Sequence, residues 1–354
     1  MKSTTGSTRG LWVALTCAAL FVASCGNSDA VDANPTVSAV AIESTTTTTI
    51  LPATTTSLKV YAATAFDQTD ALMTERVNSA GLSGGMVRIG RADGSVIYEK
   101  SIGAVRGSTP LSVASSTKWL PEFSNDAPPV TPRQLLSHTS GVRDNKCQAG
   151  GMSLSACVKA IASSARQFPA GSKFSYGNSD FLVIGRLVEI LGGADFATIV
   201  NRRITGPLQM NATTWPGAPS MANAAFGVRV TIDDYGKFLQ MVLNRGETSG
   251  TRVLSGQAVD ALISNQVSAY DTTNDFAVGI TKIPRYGLGG WPDVVNEFGG
   301  TVVASGNGAM GFYPWVDYAT NTWGIIGVQD ARGAPVAVPA SQKVAVEARN
   351  ALSR

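Results

Sequence analysis

The chain of 354 residues is 44% hydrophobic and 15% charged, with 37 Gly, 4 Cys, a single His and a formal net charge of +3. That length exceeds a small binding module and allows one large domain or two ordinary ones, and few charges among many small residues exclude a disordered chain or a coiled coil. The small positive charge is not the concentrated basic patch of a nucleic-acid binder.

Residues 1–9 are polar and carry Lys2 and Arg9, and residues 11–22 then run almost without polar interruption. A basic start, a short apolar stretch and small residues before a cleavage point read as an export signal, and twelve apolar residues rise only ~18 Å as a helix, short of a bilayer span. Val22-Ala23-Ser24-Cys25 resembles a bacterial lipobox, which implies cleavage before Cys25 and lipidation of that cysteine, with residues 1–24 as the signal. Cleavage removes Lys2 and Arg9 and no acid, lowering the net charge from +3 to +1, so nucleic acid drops out as a partner. Residues 25–65 read as lipid anchor and tether, because the Thr runs at 45–49 and 54–56 lack the periodicity needed to pack. The folded domain is expected over 66–354, held at the extracytoplasmic face of a bacterial membrane.

Within that domain, residues 85–91 and 95–102 are strand-like runs joined by Ala92-Asp93-Gly94, a hairpin signal. Thr131-Pro132 opens a helix as N-cap and first residue. Cys147 and Cys157 remain once Cys17 leaves with the signal and Cys25 takes lipid; an exported pair in a loop-like stretch reads as a disulfide, while one His and no CxxC disfavour zinc. Residues 181–191 are apolar almost all round and predict a buried helix ending at Gly192-Gly193. Residues 232–243 predict an amphipathic helix capped by Thr231 or Asp233. Residues 309–318 and 322–330 predict a strand pair around Ala319-Thr320-Asn321, and residues 339–352 a closing helix. Strands at both ends with helices between predict an α+β fold, its antiparallel sheet built from N- and C-terminal segments and flanked by helices, with an all-helical insert.

The chemistry has few candidates. His138 falls where a helix gives way to a turn, which suits a structural histidine bonding loop backbone better than a catalytic base, and no GxSxG nucleophile elbow occurs. Ser115 and Lys118 stand three apart, on one face of a helical turn, where a lysine with a destabilised charge can take a serine proton. Tyr176-Gly177-Asn178 supplies a phenol that can relay a proton and an amide that can anchor the lysine or a substrate carbonyl.

Together SVASSTKWL, TPRQLLSHTSGV, FPAGSKFSYGNSDFLVIGRLVE and SGNGAMGFYPWVD resemble the serine β-lactamase and penicillin-binding-protein family, in its class C-like hydrolase and esterase branch, from about residue 80 to the C-terminus. The resemblance implies Ser115 as acylated nucleophile, Lys118 as its partner, Tyr176 as proton relay and Asn178 as companion. It implies Gly306-Asn307-Gly308 in place of the family's Lys/His-Thr-Gly, with Asn307 and Gly308 orienting substrate and the backbone N–H groups of Ser115 and Ala309 as oxyanion hole. No metal or organic cofactor is implied; the partners are a small ester, amide or peptide substrate and the membrane. Gly306 replaces the cation that holds a substrate carboxylate, which favours neutral esters or amides over β-lactams unless Arg285 or Arg332 substitutes. Lys118-Trp119-Leu120 also runs straight into Pro121-Glu122-Phe123, where the family has roughly two dozen more residues, a multi-turn helix and its loop. The expected function is therefore a lipid-anchored serine hydrolase working through an acyl-enzyme; the alternative is a catalytically impaired relative acting as an envelope binding module.

Overall fold

The computed structural model describes residues 61–62, 64–119, 130–145, 147 and 151–353. The expected signal at 1–24, Cys25 with its expected lipid, and all but the end of the expected tether lie outside them.

The first described helix, α1 (Asp67–Ser79), leads into a hairpin of β1 (Gly84–Arg91) and β2 (Val96–Gly103). The Ala-Asp-Gly signal acts as expected: Gly94 adopts φ +86°, its N–H donates to the Arg91 carbonyl at 3.0 Å, and the Asp93 carboxylate accepts the Ser95 N–H at 2.8 Å. Met86, Val87 and Ile89 of β1 are fully buried, as befits an interior strand, whereas β2 is an edge.

The sheet has six strands in the order β2-β1-β10-β9-β8-β7, with every pairing antiparallel. Its C-terminal members are β7 (Trp291–Val295), β8 (Thr301–Ser305), β9 (Tyr313–Asp317) and β10 (Thr322–Val328). β1 lies against β10 with Val87 opposite Ile326, so the two ends of the domain close one sheet as predicted. The pair β7–β8 was not foreseen. Pro292 and Asp293 sit where its register shifts, and they hide the alternation that marks a strand. Nor does β9 begin at 309: residues 308–312 form a tight turn, with Gly308 N–H on the Phe312 carbonyl at 2.9 Å and Gly311 N–H on the Gly308 carbonyl at 2.8 Å.

Every residue of β9 and β10 is buried because helices cover both faces. The last helix, α9 (Ala334–Ser353), packs with α1 and contacts β9 and β10. It starts five residues before the expected Pro339, which lies inside it; the Gly333 carbonyl, accepting from Val336 and Ala337, opens the first turn earlier. Between β2 and β7 the chain forms β3 (Leu111–Ser112), α2 (Pro132–Leu136), α3 (Leu154–Ala162), α4 (Ser179–Gly192), α5 (Phe196–Val200), β4 (Arg229–Val230), α6 (Ile232–Leu243), β5 (Glu247–Thr248), β6 (Thr251–Arg252), α7 (Gly256–Ile263) and α8 (Phe276–Thr281). The insert is helical apart from the ribbons β3–β4 and β5–β6. Thr131 caps α2 in a full capping box with Gln134, and Thr231, not Asp233, caps α6. Helix α4 ends at Gly193 in the left-handed region, as predicted, but it is buried on one side only: Phe181, Leu182, Ile184 and Val188 face the core while Ile190 and Leu191 are 61% and 49% exposed. Helix α6 packs on β10 and β9 and brings Tyr235 to the site.

Candidate active site

The stretch Ala114–Trp119 winds as a single 3-10 helix. Three residues per turn set positions 115 and 118 directly in line on one face. The side chain of Lys118 lies outside the described residues, as does the shortened stretch expected between Leu120 and Pro121. The turn is entered through Ala114 at φ +44°, a left-handed conformation that a residue with a Cβ adopts at a cost.

Ser115 is partly exposed, and Ser116 beside it is fully buried. The Ser116 hydroxyl donates to the Gly306 carbonyl and lies 3.3 Å from that of Phe312. Its own carbonyl accepts the Tyr235 hydroxyl at 2.7 Å. Ser116 thus ties the nucleophile's turn to α6 and to Gly306-Asn307-Gly308, the third motif after those of Ser115 and Tyr176. Gly308 completes the contact: a Cβ there would stand 2.5 Å from the Val113 carbonyl and 3.2 Å from the Ser116 hydroxyl, so only glycine allows the two segments to meet. Ala309 follows directly and begins the turn to Phe312.

Asn307 is buried behind this contact. Its Oδ1 lies 3.1 Å from the Ser305 hydroxyl, which donates to Asp293 Oδ1 at 2.6 Å. The Tyr313 hydroxyl donates to the other oxygen of Asp293 at 2.8 Å. Burial pushes the Asp293 carboxyl up, and Arg349 and the Ser305 and Tyr313 hydroxyls pull it back. The two arginines considered for the missing cation are engaged elsewhere. Arg285 donates to the carbonyls of Pro292 and Asp293 at 2.8 and 2.6 Å, and Arg332 chelates Asp330 at 2.9 and 2.8 Å.

The second motif, Tyr176-Gly177-Asn178, enters between α3 and α4. The Tyr176 ring packs on His138, Tyr286 and Trp291, with centroids 4.5, 5.7 and 5.5 Å away. Burial pushes the phenol well above its ordinary pKa; a hydrogen bond with the Ser115 side chain opposes the shift, and Asp275 and Asp144 add to it. Ser115 and Tyr176 therefore meet, although they are remote in sequence. The Tyr176 N–H donates to Asp275 at 2.9 Å, and the N–H groups of Asn178 and Ser179 donate to Asp144 at 2.8 and 3.0 Å. Asn178 stands at the N-cap of α4. The expected disulfide is present: Cys147 and Cys157, with Cα atoms 5.3 Å apart, join the loop after Asp144 to α3.

His138 is structural, though not through the backbone bonds expected of its side chain. Nδ1 lies 3.0 Å from Asp180, whose other oxygen accepts the Ser140 hydroxyl, and the whole group is buried beneath Tyr176. Burial raises the Asp180 carboxyl and the His138 hydrogen bond opposes it. Sequence patterns missed Ser116, Asp144, Asp180, Asp275 and Asp293. Ser116 and Asp180 alone had a signal, Ser116 inside the Ser115–Lys118 stretch and Asp180 two residues after Asn178.

A family model described as Beta-lactamase matches residues 96–348. Penicillin-binding protein 4 of Amycolatopsis lactamdurans is 28% identical over 183 residues, 42% of this chain and 48% of that protein. The chain spans about half the length of the curated relatives it matches. Among solved structures, a putative beta-lactamase from Bacteroides dorei superimposes with a TM-score of 0.69 at 24% identity, covering 83% of this chain and 100% of that one. Simvastatin synthase from Aspergillus terreus superimposes with a TM-score of 0.63 at 15% identity, covering 82% and 97%. At those identities the superpositions speak for the fold.

Proposed function

The chain belongs to the beta-lactamase family, and on that footing we propose that it is a serine hydrolase acting through an acyl-enzyme on a neutral ester or amide, held to the extracytoplasmic face of the membrane by lipid on Cys25. The observation that carries this reading is the meeting of the Ser115 and Tyr176 side chains on the turn against which Gly308 packs.

In the proposed reaction Ser115 Oγ attacks the substrate carbonyl and its proton ends on the uncharged Lys118 amine, relayed by the Tyr176 hydroxyl, which takes the serine proton as it gives up its own. The raised pKa keeps the phenol protonated between transfers, and the proton returns from Lys118 through it to the leaving group. The backbone N–H groups of Ser115 and Ala309 take the negative charge that develops on the carbonyl oxygen. Water then attacks the acyl-serine and releases the acid. Asn178, Asn307 and Gly308 orient the substrate. Gly306 offers no charge to a carboxylate, and Arg285 and Arg332 are bound to their own partners, which ranks neutral esters and amides above β-lactams and β-lactams above D-Ala-D-Ala peptides. No helix among the described residues is long and apolar enough to cross a membrane, and the proposed anchor is the lipid alone.

A second reading, an impaired relative that binds an envelope component without turnover, draws support from the nucleophile's turn, which is six residues of 3-10 helix. Exposing the full chain to a fluorophosphonate and to a labelled penicillin separates the two. The expected result is a fluorophosphonate adduct on Ser115 by mass spectrometry, absent in Ser115→Ala, with little penicillin adduct. A folded chain that takes up neither probe refutes the hydrolase and leaves the binding module.

A further inference from the structure

The backbone of the second motif is held by two carboxylates that belong to neither the motif nor its helix. Asp275 accepts the Tyr176 N–H through Oδ2 at 2.9 Å, while its Oδ1 caps α8 at Ala277 and Val278, at 2.9 and 3.3 Å. Asp144 accepts the N–H groups of Asn178 and Ser179 through Oδ1 at 2.8 and 3.0 Å. Asparagine is among the strongest N-cap residues, since its side chain can satisfy the first backbone donors of its own helix. At the N-cap of α4, Asn178 makes no such bond. Asp144 instead accepts the N–H groups of this N-cap residue and of Ser179, the first residue of α4, which places a carboxylate at the positive end of the helix dipole. Gly177 allows the approach, because a Cβ on it would stand 3.1 Å from Asp144 Oδ1.

The loop that carries Asp144 is itself fixed. The Asn145 N–H donates to the Ser179 hydroxyl at 2.8 Å, and Cys147 is tied to α3 through Cys157. Each end of Tyr176-Gly177-Asn178 is therefore referenced to a separate rigid element.

Building on the acyl-enzyme reading above, we propose that Asp144 and Asp275 are positioning residues of the reaction, fixing the main chain of Tyr176-Gly177-Asn178 so that the phenol meets Ser115. Neither touches the reacting atoms. Their contribution is geometric, and displacement of a catalytic group by about 1 Å can cost on the order of a hundredfold in rate.

The test measures the second-order rate of fluorophosphonate addition to Ser115 in the full chain, alongside its melting temperature. Asp144→Ala and Asp275→Ala are expected to slow labelling at least about tenfold. Asp144→Asn keeps an oxygen acceptor of equal capping strength and is expected to stay within about threefold of the native rate. Asp195→Ala is the control: Asp195 caps α5 at Thr198, so its loss removes a comparable helix cap without touching the motif, and it is expected to lower the melting temperature while leaving labelling unchanged. Native-rate labelling of Asp144→Ala, or an equal slowing by Asp195→Ala, overturns the inference. An unlabelled native chain is a separate result, read without any variant, and it overturns the acyl-enzyme reading together with what rests on it.

Discussion

Two adjacent serines divide the work at the centre of the molecule. Ser115 is partly exposed and meets Tyr176, while Ser116 is sealed and donates to the Gly306 carbonyl of the third motif, near that of Phe312. Their sequence context is the same, so their spacing from Lys118 alone selects the nucleophile; the anchoring role of Ser116 emerges only when residues from 306 to 312 fold against it. Gly308 sits on that contact with no space for a side chain. Gly308→Ala is expected to force the third-motif turn away from Val113, costing about 1–3 kcal/mol of stability. Urea denaturation measures that cost. The same variant is expected to slow fluorophosphonate labelling of Ser115 by about 10–100-fold, because the turn that follows Gly308 carries one of the proposed oxyanion donors. A variant that labels at the native rate would show that Ala309 stands outside the reaction.

Among the elements, those whose signals are local matched their expectation: the β1–β2 turn, the Thr131 cap of α2, the Thr231 cap of α6 and the glycine stop of α4. Each depends on residues within one turn of the feature. The strands β7 and β8 left no such mark, since a proline and a register shift break their alternation and the sheet itself supplies the order. The start of α9 was displaced for a related reason: Pro339 reads as a beginning, yet the preceding turn is held by Gly333 and by packing on α1. The disulfide belongs to this scale too. It closes a loop of ten-residue separation, for which chain entropy supplies about 2–3 kcal/mol. Replacing Cys147 and Cys157 with serine is expected to lower the stability by that amount in urea denaturation, and a melting temperature equal to that of the native chain would show that the cross-link constrains nothing.

Across the whole molecule, one buried cluster ties the ends of the domain together behind the third motif. Asp330, just beyond β10, accepts from Arg332 and lies 3.6 Å from the buried guanidinium of Arg76 on α1. Arg76 also donates to the Ala337 carbonyl of α9 at 3.0 Å, and the Asp330 N–H donates to the Met310 carbonyl at 2.9 Å. The Arg332 hydrogen bond holds the Asp330 carboxyl below the ordinary carboxylate range. A depressed native pKa contributes stability that is present above the unfolded value, near 4, and is lost as the pH falls through the native one. Asp330→Asn leaves Arg76 buried without its counter-charge and is expected to cost about 3 kcal/mol at pH 7. That deficit should shrink as the pH is lowered through the native pKa of Asp330, because the native carboxyl then becomes neutral as well. Denaturation of both chains in a series of buffers descending from pH 7 follows the deficit; a deficit independent of pH would assign the loss to packing instead of charge.

The sequence by itself determined the family, the closing of one sheet by the two ends of the domain, and the residue types offered for catalysis. The family rests on the resemblance carried by the motifs around Ser115, Tyr176 and Gly306, and the elements on short-range patterns of alternation, helix caps and turn residues. Tertiary structure decided which serine is sealed and which is presented, that His138 serves Asp180, that Arg285 and Arg332 are already engaged, and that two distant aspartates brace Tyr176-Gly177-Asn178. Such facts depend on burial and on partners far apart along the chain, and the energy of a buried polar group is set by the partner it finds when the chain closes.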